Sequence, residues 1–487
     1  MNQPIRRVSA FCLVLVLALL IRVNWVQGVE AGSLNTNTHN ARIAIEAYSH
    51  PRGQIFVGGQ AVTKSVLVNG NRYKYVQSFP QGPLYAPVTG YSSAIFGNSL
   101  LEGVEDPVLS GTDSRLTVNN FEALITGKQK QGGDVITTLD PQVQAAAYNA
   151  FVSQGKTGAA VAIDPQTGAI LALVSAPSYD PGVFAGGGTT SSPAYTKLLN
   201  DPSDPMLNRA LRQTYPPGST FKLITAAAAL ETGVVTDINA PTDTPDPLPL
   251  PDSTKTLPNE DNDPCLNASM NDALAVSCNT VFAKFGDQVG NARMVQEADK
   301  FGFNNPTLNI PVRADASVFA GGIDRPSNMF SSIGQFDTRA TPLEMAMVAA
   351  AICNNGSLMQ PYLVAEERAA DLSVISRTQP KQLSQATTPA VAAEIQSMMV
   401  NVVQKGTGTT AQIPGITVGG KTGTAQNGVN NSGNPYAWFV SYAKGPNGKD
   451  IAVAVVIEAS NTQRTEISGS GLAAPIAKQM MKTYLGK

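Results

Sequence analysis

The chain has 487 residues, of which 43% are hydrophobic and 14% charged, and its formal net charge is −2 at pH 7. This length favours two folded parts, and the apolar fraction is sufficient for a sizeable core. A nearly neutral chain excludes the basic surface that nucleic-acid binding requires, so no nucleic-acid partner is expected.

An apolar segment stands near the N-terminus, where Arg6 and Arg7 precede the run of residues 8–21. Basic residues on that side predict a cytoplasmic N-terminal end, with the remainder of the chain exported. We therefore interpret residues 1–7 as a cytoplasmic tail and residues 8–26 as a transmembrane signal anchor. A cleaved signal peptide is the alternative, because small-residue sites that suit cleavage follow the apolar run.

The next segment, residues 27–134, predicts a small non-catalytic N-terminal domain. It contains short β-like runs, such as residues 54–57 and 64–68, which glycine and proline interrupt. The pair Gly132-Gly133 predicts a hinge. A new unit, residues 135–487, follows it.

This second unit alternates helical and strand-forming patterns. Helices are predicted over residues 142–151, 223–230 and 472–485. Two hairpins are predicted, from residues 159–163 with 169–174 and from residues 438–443 with 451–458. Strands near both ends of the unit, with helices between them, predict one antiparallel sheet flanked by helices. We therefore place the unit in the mixed helix-and-sheet class, α+β or α/β.

Residues 239–264 interrupt this pattern with seven prolines and several Asp, Asn and Thr residues. Such a composition disfavours regular structure, so we expect an extended, solvated surface loop. Recognition of a partner by this loop is the alternative.

Four cysteines are present, Cys12 in the apolar segment and Cys265, Cys278 and Cys353 in the exported part. An oxidising compartment would let Cys265 and Cys278 pair, and we expect this disulfide. For Cys353 we expect a buried free thiol. The sequence has no C-x-x-C pair and no His-Cys cluster, so no metal site is expected.

Three short motifs stand in a chemically suggestive order. They match S-x-x-K, S-x-N and K-T-G, and their residues are Ser219-Thr220-Phe221-Lys222, Ser277-Cys278-Asn279 and Lys421-Thr422-Gly423. Together such motifs build a serine acyl-transfer site whose base is a lysine. The only two histidines, His39 and His50, lie far upstream, which disfavours a Ser-His-Asp triad.

Each motif alone is weak, because Ser153–Lys156 also fits S-x-x-K and Lys156–Gly158 also fits K-T-G. Lys156 belongs to both of these matches, and one lysine cannot be the base on a helix and also bind a substrate carboxylate from a strand. The set that contains Ser219 avoids this conflict, because its three motifs lie on separate predicted elements.

The residue types suit defined roles. Ser219, at the start of a helix, is the candidate nucleophile, and Lys222, one turn on, is its base if desolvation and a nearby cation lower its pKa. Lys421 can be that cation and can attract a substrate carboxylate. Ser277 can relay a proton and Asn279 can hold a peptide carbonyl.

Substrate-binding roles fall to the third motif and the residue after it. Thr422 and Thr424 can donate hydroxyl hydrogen bonds, and Gly423 lets substrate approach the backbone closely. The backbone N–H groups of Ser219 and Thr424 are the candidates for an oxyanion hole.

The segments from Tyr215 to Lys222 and from Gly420 to Ala425 resemble the active-site signatures of high-molecular-mass penicillin-binding proteins. The overall layout is similar to the class B, actinobacterial penicillin-binding protein A type. This resemblance implies a serine β-lactamase-like transpeptidase fold, a small N-terminal pedestal of the dimerisation type, and a single N-terminal membrane anchor.

The resemblance also implies an activity. Ser219 would attack peptidoglycan stem peptides that end in D-Ala-D-Ala, and an amine of a neighbouring stem would resolve the acyl-enzyme as a cross-link, with no cofactor. β-Lactams would trap Ser219. The expected location is the cell membrane, with the catalytic domain outside, and the expected partner is a SEDS-family glycan polymerase.

Three alternatives remain from the sequence. A D,D-carboxypeptidase would replace the amine by water, a β-lactamase would hydrolyse the drug, and a non-catalytic β-lactam-binding envelope protein would retain only the site. Two departures from the family pattern stand out: Phe336, where many relatives have glycine, and Cys278 in the middle of the second motif.

Overall fold

The computed structural model describes residues 3–35, 45–69, 73–116, 129–184, 191–260, 263–428, 431–459 and 462–487. Its first element is the helix Gln3–Trp25, which continues through a π-helical turn, Val26–Glu30, into the helix Ala31–Asn35. No residue of the helix Gln3–Trp25 is buried, and the helical stretch is long and apolar enough to cross a bilayer. These properties suit a membrane span and equally a cleavable signal sequence.

The described residues of the N-terminal domain form short strands and three short α-helices. The strands are β1 (Ile55–Val57), β2 (Gln60–Ala61), β3 (Lys64–Leu67), β4 (Tyr75–Ser78), β5 (Ser92–Ser93), β6 (Gly97–Asn98) and β7 (Asp134–Thr137). The helices are Gly82–Thr89, Leu100–Val104 and Asp106–Leu109. The buried Arg52 guanidinium ties these elements together, because it pairs with Glu102 at 2.8 Å and with Asp106 at 2.6 Å.

The predicted hinge at Gly132-Gly133 is wrong, because both glycines are held by backbone contacts to the N-terminal domain and a Cβ atom on Gly133 would lie 2.6 Å from Arg368 O of the second unit. The Gly132 N–H donates to Pro51 O at 3.1 Å and the Gly133 N–H donates to Val108 O at 2.8 Å. A Cβ atom on Gly132 would lie 1.8 Å from Leu109 O. Glycine is needed there for close backbone approach, and the approach fixes the junction instead of loosening it.

The remaining strands belong to the second unit. They are β8 (Thr157–Ile163), β9 (Ile170–Ala176), β10 (Leu248–Pro249), β11 (Thr256–Leu257), β12 (Ser357–Met359), β13 (Val364–Arg368), β14 (Val374–Arg377), β15 (Gln382–Gln385), β16 (Thr417–Ala425), β17 (Tyr436–Lys444) and β18 (Ile451–Ala459). Five of them form the antiparallel sheet β16-β17-β18-β8-β9, which confirms the predicted sheet and both predicted hairpins. A second five-stranded sheet, β14-β13-β7-β1-β2, joins strands of both units.

The helices of this unit surround the antiparallel sheet. Within the described residues they are Pro141–Ser153, Ser191–Leu199, Arg209–Arg212, Lys222–Glu231, Met270–Val276, Asn279–Val289, Asn291–Lys300, Arg325–Ser331, Pro342–Cys353, Pro389–Lys405 and Ala474–Leu485. Several begin with the expected cap followed by proline: the Asp140 carboxylate accepts from the N–H groups of Gln142 and Val143, and the Thr341 hydroxyl accepts from the Glu344 N–H.

The sheet separates two apolar cores. On β17 the side chains of Trp438, Val440 and Tyr442 pack into the core that contains the helices Lys222–Glu231 and Pro342–Cys353. Their neighbours Ala437 and Phe439 pack into the opposite core with the helix Ala474–Leu485. This alternation follows from the two-residue period of a strand, and burial on both faces explains the continuous apolar runs in the sequence.

The proline-rich segment 239–264, insofar as the structure describes it, is mostly exposed, as expected for a surface loop, but it is also anchored to the protein. Leu248, Leu250 and Leu257 are buried in the main core, and β10 pairs with β11 as a small hairpin. The buried leucines hold the segment against the protein, so its polar residues acquire defined positions.

Candidate active site

Ser219 lies in a short 3₁₀ turn, Gly218–Phe221, which leads directly into the helix Lys222–Glu231. The sequence predicted that Ser219 opens the helix, and the structure places it one turn earlier. The Trp438 indole N–H donates to Pro216 O at 3.0 Å, and the Thr220 hydroxyl donates to Pro217 O at 2.7 Å. These bonds fix the backbone on the N-terminal side of Ser219, whose own side chain is half-buried.

A backbone contact between two glycines holds this turn in place. The Gly218 N–H donates to Gly334 O at 2.9 Å, and both glycines have positive φ, 53° and 75°. A Cβ atom on Gly334 would lie 2.1 Å from Gly218 O. The segment that contains Gly334 therefore sets the position of the Ser219 turn through direct backbone contact.

Lys222 is fully buried and its amine contacts the second motif. Its Nζ lies 2.6 Å from Ser277 O, 2.7 Å from Asn279 Oδ1 and 3.3 Å from Ser277 Oγ. Burial, followed by the charge of Lys421, lowers the pKa of Lys222 well below its ordinary value. This shift favours the neutral amine, which is the form that can accept a proton.

Lys421 is also fully buried and approaches the same serine from the sheet. Its Nζ donates to Ser277 Oγ at 2.8 Å and to Thr422 O at 3.1 Å. Burial lowers the pKa of Lys421 to about 7. The two lysines therefore converge on one hydroxyl, and burial together with the charge of Lys421 favours the neutral form of Lys222.

The second motif lies between two helices. Ser277 ends the helix Met270–Val276 in the left-handed conformation, with φ 70° and ψ 37°, and Asn279 begins the helix Asn279–Val289. Between them Cys278 is buried and is linked to Cys265 by a disulfide. This bond ties the second motif to the end of the proline-rich segment.

Asn259, which the sequence did not single out, also connects the proline-rich segment to the second motif. The Asn259 side-chain oxygen accepts from the N–H groups of Asn279 at 2.6 Å and Thr280 at 3.0 Å, and its amide donates to Thr280 Oγ1 at 2.9 Å. Cys278, the residue at the N-cap position, makes no such bond. Asn259 therefore caps the helix from a distant segment, and no local sequence signal reveals such a cap.

A pocket of about 430 Å³ opens at Ser219. Its lining consists of Ser219, Thr256, Leu257, Pro258, Asn259, Glu260, Asn279, Phe330, Ile333, Gln335, Phe336, Thr424 and Gln426. Sequence reasoning had identified three of these residues, Ser219, Asn279 and Thr424, as site residues. It missed Asn259, Glu260, Gln335 and Gln426, which are polar residues without a motif.

The other residues of the third motif lie behind this surface. Thr422 is 7% exposed and its hydroxyl is 2.6 Å from that of Thr407, so of Thr422 and Thr424 it is Thr424 that lines the pocket. A Cβ atom on Gly423 would lie 3.0 Å from Thr220 Cγ2, so this glycine allows the strand to pack closely against the Ser219 turn. Phe336 lines the pocket with positive φ, 56°, and is 45% exposed.

The competing motifs lie elsewhere. Lys156, which belongs to both of them, is buried and donates to Leu472 O at 3.2 Å. His50 pairs with Glu46 at 3.5 Å in the N-terminal domain, and His39 falls outside the described residues. Among the described residues no group of three or more His, Cys, Asp or Glu side chains is arranged to hold a metal ion.

Comparison with known proteins agrees with this geometry. The chain matches the family model of the penicillin binding protein transpeptidase domain over residues 158–482 and that of the penicillin binding protein A dimerisation domain over residues 52–135. It is 40% identical to the peptidoglycan D,D-transpeptidase PbpA of Mycolicibacterium smegmatis, over 100% of this chain and 99% of that protein. It is 38% identical to the protein of the same name from Mycobacterium tuberculosis, with the same coverage.

Solved structures show the same similarity. The ceftriaxone acyl-enzyme complex of penicillin-binding protein A from M. tuberculosis superposes with a TM-score of 0.85 at 37% identity, covering 91% of this chain and 100% of that one. The corresponding imipenem acyl-enzyme complex gives a TM-score of 0.84 at 38% identity, with the same coverage. The chain thus belongs to the penicillin-binding protein transpeptidase family.

Proposed function

We propose that this protein is a peptidoglycan D,D-transpeptidase that forms its acyl-enzyme on Ser219. The observation that carries this proposal is the convergence of two buried lysines on Ser277 beside the pocket that contains Ser219. A cationic and a neutral lysine around one hydroxyl provide a base, a proton relay and a carboxylate clamp without histidine.

In the acylation step the Ser219 oxygen attacks the carbonyl of the penultimate D-alanine of a stem peptide, and Lys222 takes the hydroxyl proton. The C–N bond to the terminal D-alanine then breaks. Its amine receives the proton through Ser277, which lies within hydrogen-bond distance of both lysines. An oxyanion forms transiently on the carbonyl oxygen, and we assign its stabilisation to the backbone N–H groups of Ser219 and Thr424.

Substrate binding falls to the third motif and to Asn279. Lys421 supplies the positive charge for the terminal carboxylate of D-Ala-D-Ala, and the Thr422 and Thr424 hydroxyls donate to it, Thr422 once it leaves Thr407. Gly423 keeps the strand close to the nucleophile. Asn279, which lines the pocket, holds a peptide carbonyl of the donor. A β-lactam carries both the reactive carbonyl and the carboxylate, so it occupies the same positions.

In the second step an amine of a neighbouring stem attacks the Ser219 ester. The new C–N bond is the cross-link, the C–O bond to Ser219 breaks, and a proton returns to the serine through Lys222. Water in place of the amine gives D,D-carboxypeptidase activity. We favour transpeptidation because the full-length relatives at 38–40% identity carry that name.

We also propose the organisation of the chain around this activity. Residues 1–7 are a cytoplasmic tail, residues 8–26 a retained membrane anchor, residues 27–134 a pedestal and residues 135–487 the extracytoplasmic transpeptidase domain. A SEDS-family glycan polymerase is the proposed membrane partner. Co-purification of the full chain with such a polymerase, and its loss when residues 8–26 are replaced by an unrelated span, tests this partner.

The test of the activity is incubation with penicillin followed by mass spectrometry of the intact protein and its peptides. We expect one stable equivalent of drug on the Ser219 peptide, and none in Ser219→Ala. The variant should keep the melting temperature of the wild type, since Ser219 is half-buried and its removal leaves the turn intact. No adduct with intact drug would refute catalysis, and no adduct with consumed drug would indicate a hydrolase.

A further inference from the structure

The second half-reaction needs a binding site for the acceptor amine, and the motifs do not supply one. Lys222 and Lys421 are suited to the serine proton and to the donor carboxylate; the charge of Lys421 repels a positively charged amine, and a neutral Lys222 offers it no opposite charge. Acceptor recognition therefore requires a group of opposite charge in the pocket. This step rests on the transpeptidase function proposed above.

Glu260 is such a group. Of the thirteen residues that line the pocket in the described part of the chain, Glu260 is the one with a charged side chain, and it shares the pocket with Ser219. Within the described residues, no lysine, arginine or histidine lies within ion-pair distance of its carboxylate, and its side chain is exposed. A carboxylate without a partner at the mouth of a catalytic pocket is available to a ligand cation.

The position of Glu260 is fixed by its neighbour. Asn259 makes its three hydrogen bonds to Asn279 and Thr280, at the start of the helix that follows the second motif. Because the side chain of Asn259 is bonded to residues next to the second motif, its neighbour Glu260 is placed at the pocket. The buried Leu257 holds the same strand-like segment on its other side.

The electrostatic environment agrees with this position. Burial lowers the pKa of both lysines, and the negative charge of Glu260 acts on both in the opposite direction. The lysine amines already have their own acceptors in Ser277, Asn279 and Thr422 O. Glu260 is therefore close enough to influence the charges of both lysines, although it forms no ion pair with either of them.

We propose that Glu260 binds the acceptor, a cationic primary amine of a neighbouring stem peptide, and holds it in the pocket for attack on the Ser219 ester. The ammonium first loses one proton to solvent and becomes nucleophilic. Its nitrogen then forms the amide bond as the ester C–O bond breaks, and its second proton passes through Lys222 to the Ser219 oxygen. Glu260 itself neither gains nor loses a proton in this sequence.

The experiment compares wild type, Glu260→Gln and Asp252→Asn. Asp252 is an exposed acid of the same segment that does not line the pocket, so its variant is the matched control. A peptide that ends in D-Ala-D-Ala serves as donor and 6-aminohexanamide as the cationic acceptor. Hydroxylamine, largely uncharged at slightly alkaline pH, is the control nucleophile. The readout is the ratio of aminolysis to hydrolysis of the acyl-enzyme, together with the rate of acylation by penicillin.

We expect Glu260→Gln to lower the aminolysis ratio for 6-aminohexanamide about tenfold, the scale of one hydrogen bond to a charged group. The ratio for hydroxylamine and both ratios for Asp252→Asn should remain unchanged. An unchanged ratio for 6-aminohexanamide, or an equal loss with hydroxylamine, overturns the proposal. If Glu260→Gln does not fold, the wild type still decides: added salt must weaken aminolysis by 6-aminohexanamide and not by hydroxylamine. Failure of the wild type to form any acyl-enzyme would instead refute the proposed function.

Discussion

Asn259 provides the sharpest test of how the proline-rich segment supports the active site. Replacement by alanine removes two bonds to the backbone N–H groups of Asn279 and Thr280 and one to the Thr280 hydroxyl. Thr280 is fully buried, so water cannot easily replace these bonds. The helix Asn279–Val289 then loses its cap, because the side chain of Cys278 makes no capping bond.

The size of the effect follows from these bonds. Each hydrogen bond contributes about 1 kcal/mol net, so three together give about 3 kcal/mol in the free energy of unfolding. Loss of an N-cap alone costs about 1 kcal/mol, which sets the lower limit. The second motif lies next to the uncapped N–H groups, and a shift of Ser277 by about 1 Å can cost about a hundredfold in rate. We therefore expect slower acylation by penicillin in addition to lower stability.

The assay combines thermal unfolding with the second-order rate constant of acylation by penicillin. Asn305→Ala is the matched control, because Asn305 also accepts two hydrogen bonds, from the Thr307 N–H and hydroxyl, in a turn away from the pocket. Asn259→Asp retains the acceptor and adds negative charge at a helix N-terminus, so it should restore most of the stability. Equal stability and equal acylation in wild type and Asn259→Ala would refute the reasoning.

Three further predictions concern the lysines, the disulfide and the Ser219 turn. The second-order rate constant of acylation should rise with pH as Lys222 loses its proton. It should fall above about pH 7, because burial lowers the pKa of Lys421 to about 7 and this residue then loses its positive charge. A rate constant that does not change with pH would contradict these assignments. Replacement of Cys265 by serine (Cys265→Ser), or reduction of the disulfide, should lower the free energy of unfolding by about 3 kcal/mol, as for disulfides that close loops of similar length. Either treatment should also slow acylation. Unchanged acylation kinetics after reduction would exclude redox sensitivity. Gly334→Ala should abolish acylation in a folded protein, because the new Cβ would lie 2.1 Å from Gly218 O and displace the turn; circular dichroism checks the fold, and normal acylation would disprove the role of this contact.

Local patterns carried most of the fold. The hairpins β8-β9 and β17-β18 were predictable because alternating or continuous apolar runs flank turn residues. The helix Lys222–Glu231 was predictable from its alanine-rich run. The motifs located the proposed nucleophile, Ser219, and the two lysines that the structure brings together at Ser277. For the hairpins and the helix the information is local, whereas the three motifs are spread from residue 219 to residue 423 and are informative only as a set.

Long-range contacts account for what the sequence did not reveal. β13 and β14, about 230 residues after β7, complete the sheet of the N-terminal unit, and nothing local in Val364–Arg368 specifies that partner. The pair Gly132-Gly133 is typical of a hinge, yet in the structure Gly132 allows two backbone segments to pack closely together. The segment 239–264 has the composition of a loop, yet three buried leucines determine where its polar residues stand.

The hydrogen bonds at Ser277 fit different charges on the two lysines. Ser277 O and Asn279 Oδ1 are acceptors without hydrogens, and they can take both hydrogens of a neutral Lys222 amine. The lone pair of that amine is then free to receive the Ser277 hydroxyl hydrogen, while the Ser277 oxygen accepts from Lys421. Because the Ser277 oxygen has two lone pairs, it can accept from Lys421 whether Lys222 is neutral or charged. What favours a neutral Lys222 is its burial together with the charge of Lys421, which lower its pKa. This is the division of charge that the proposed acyl transfer requires.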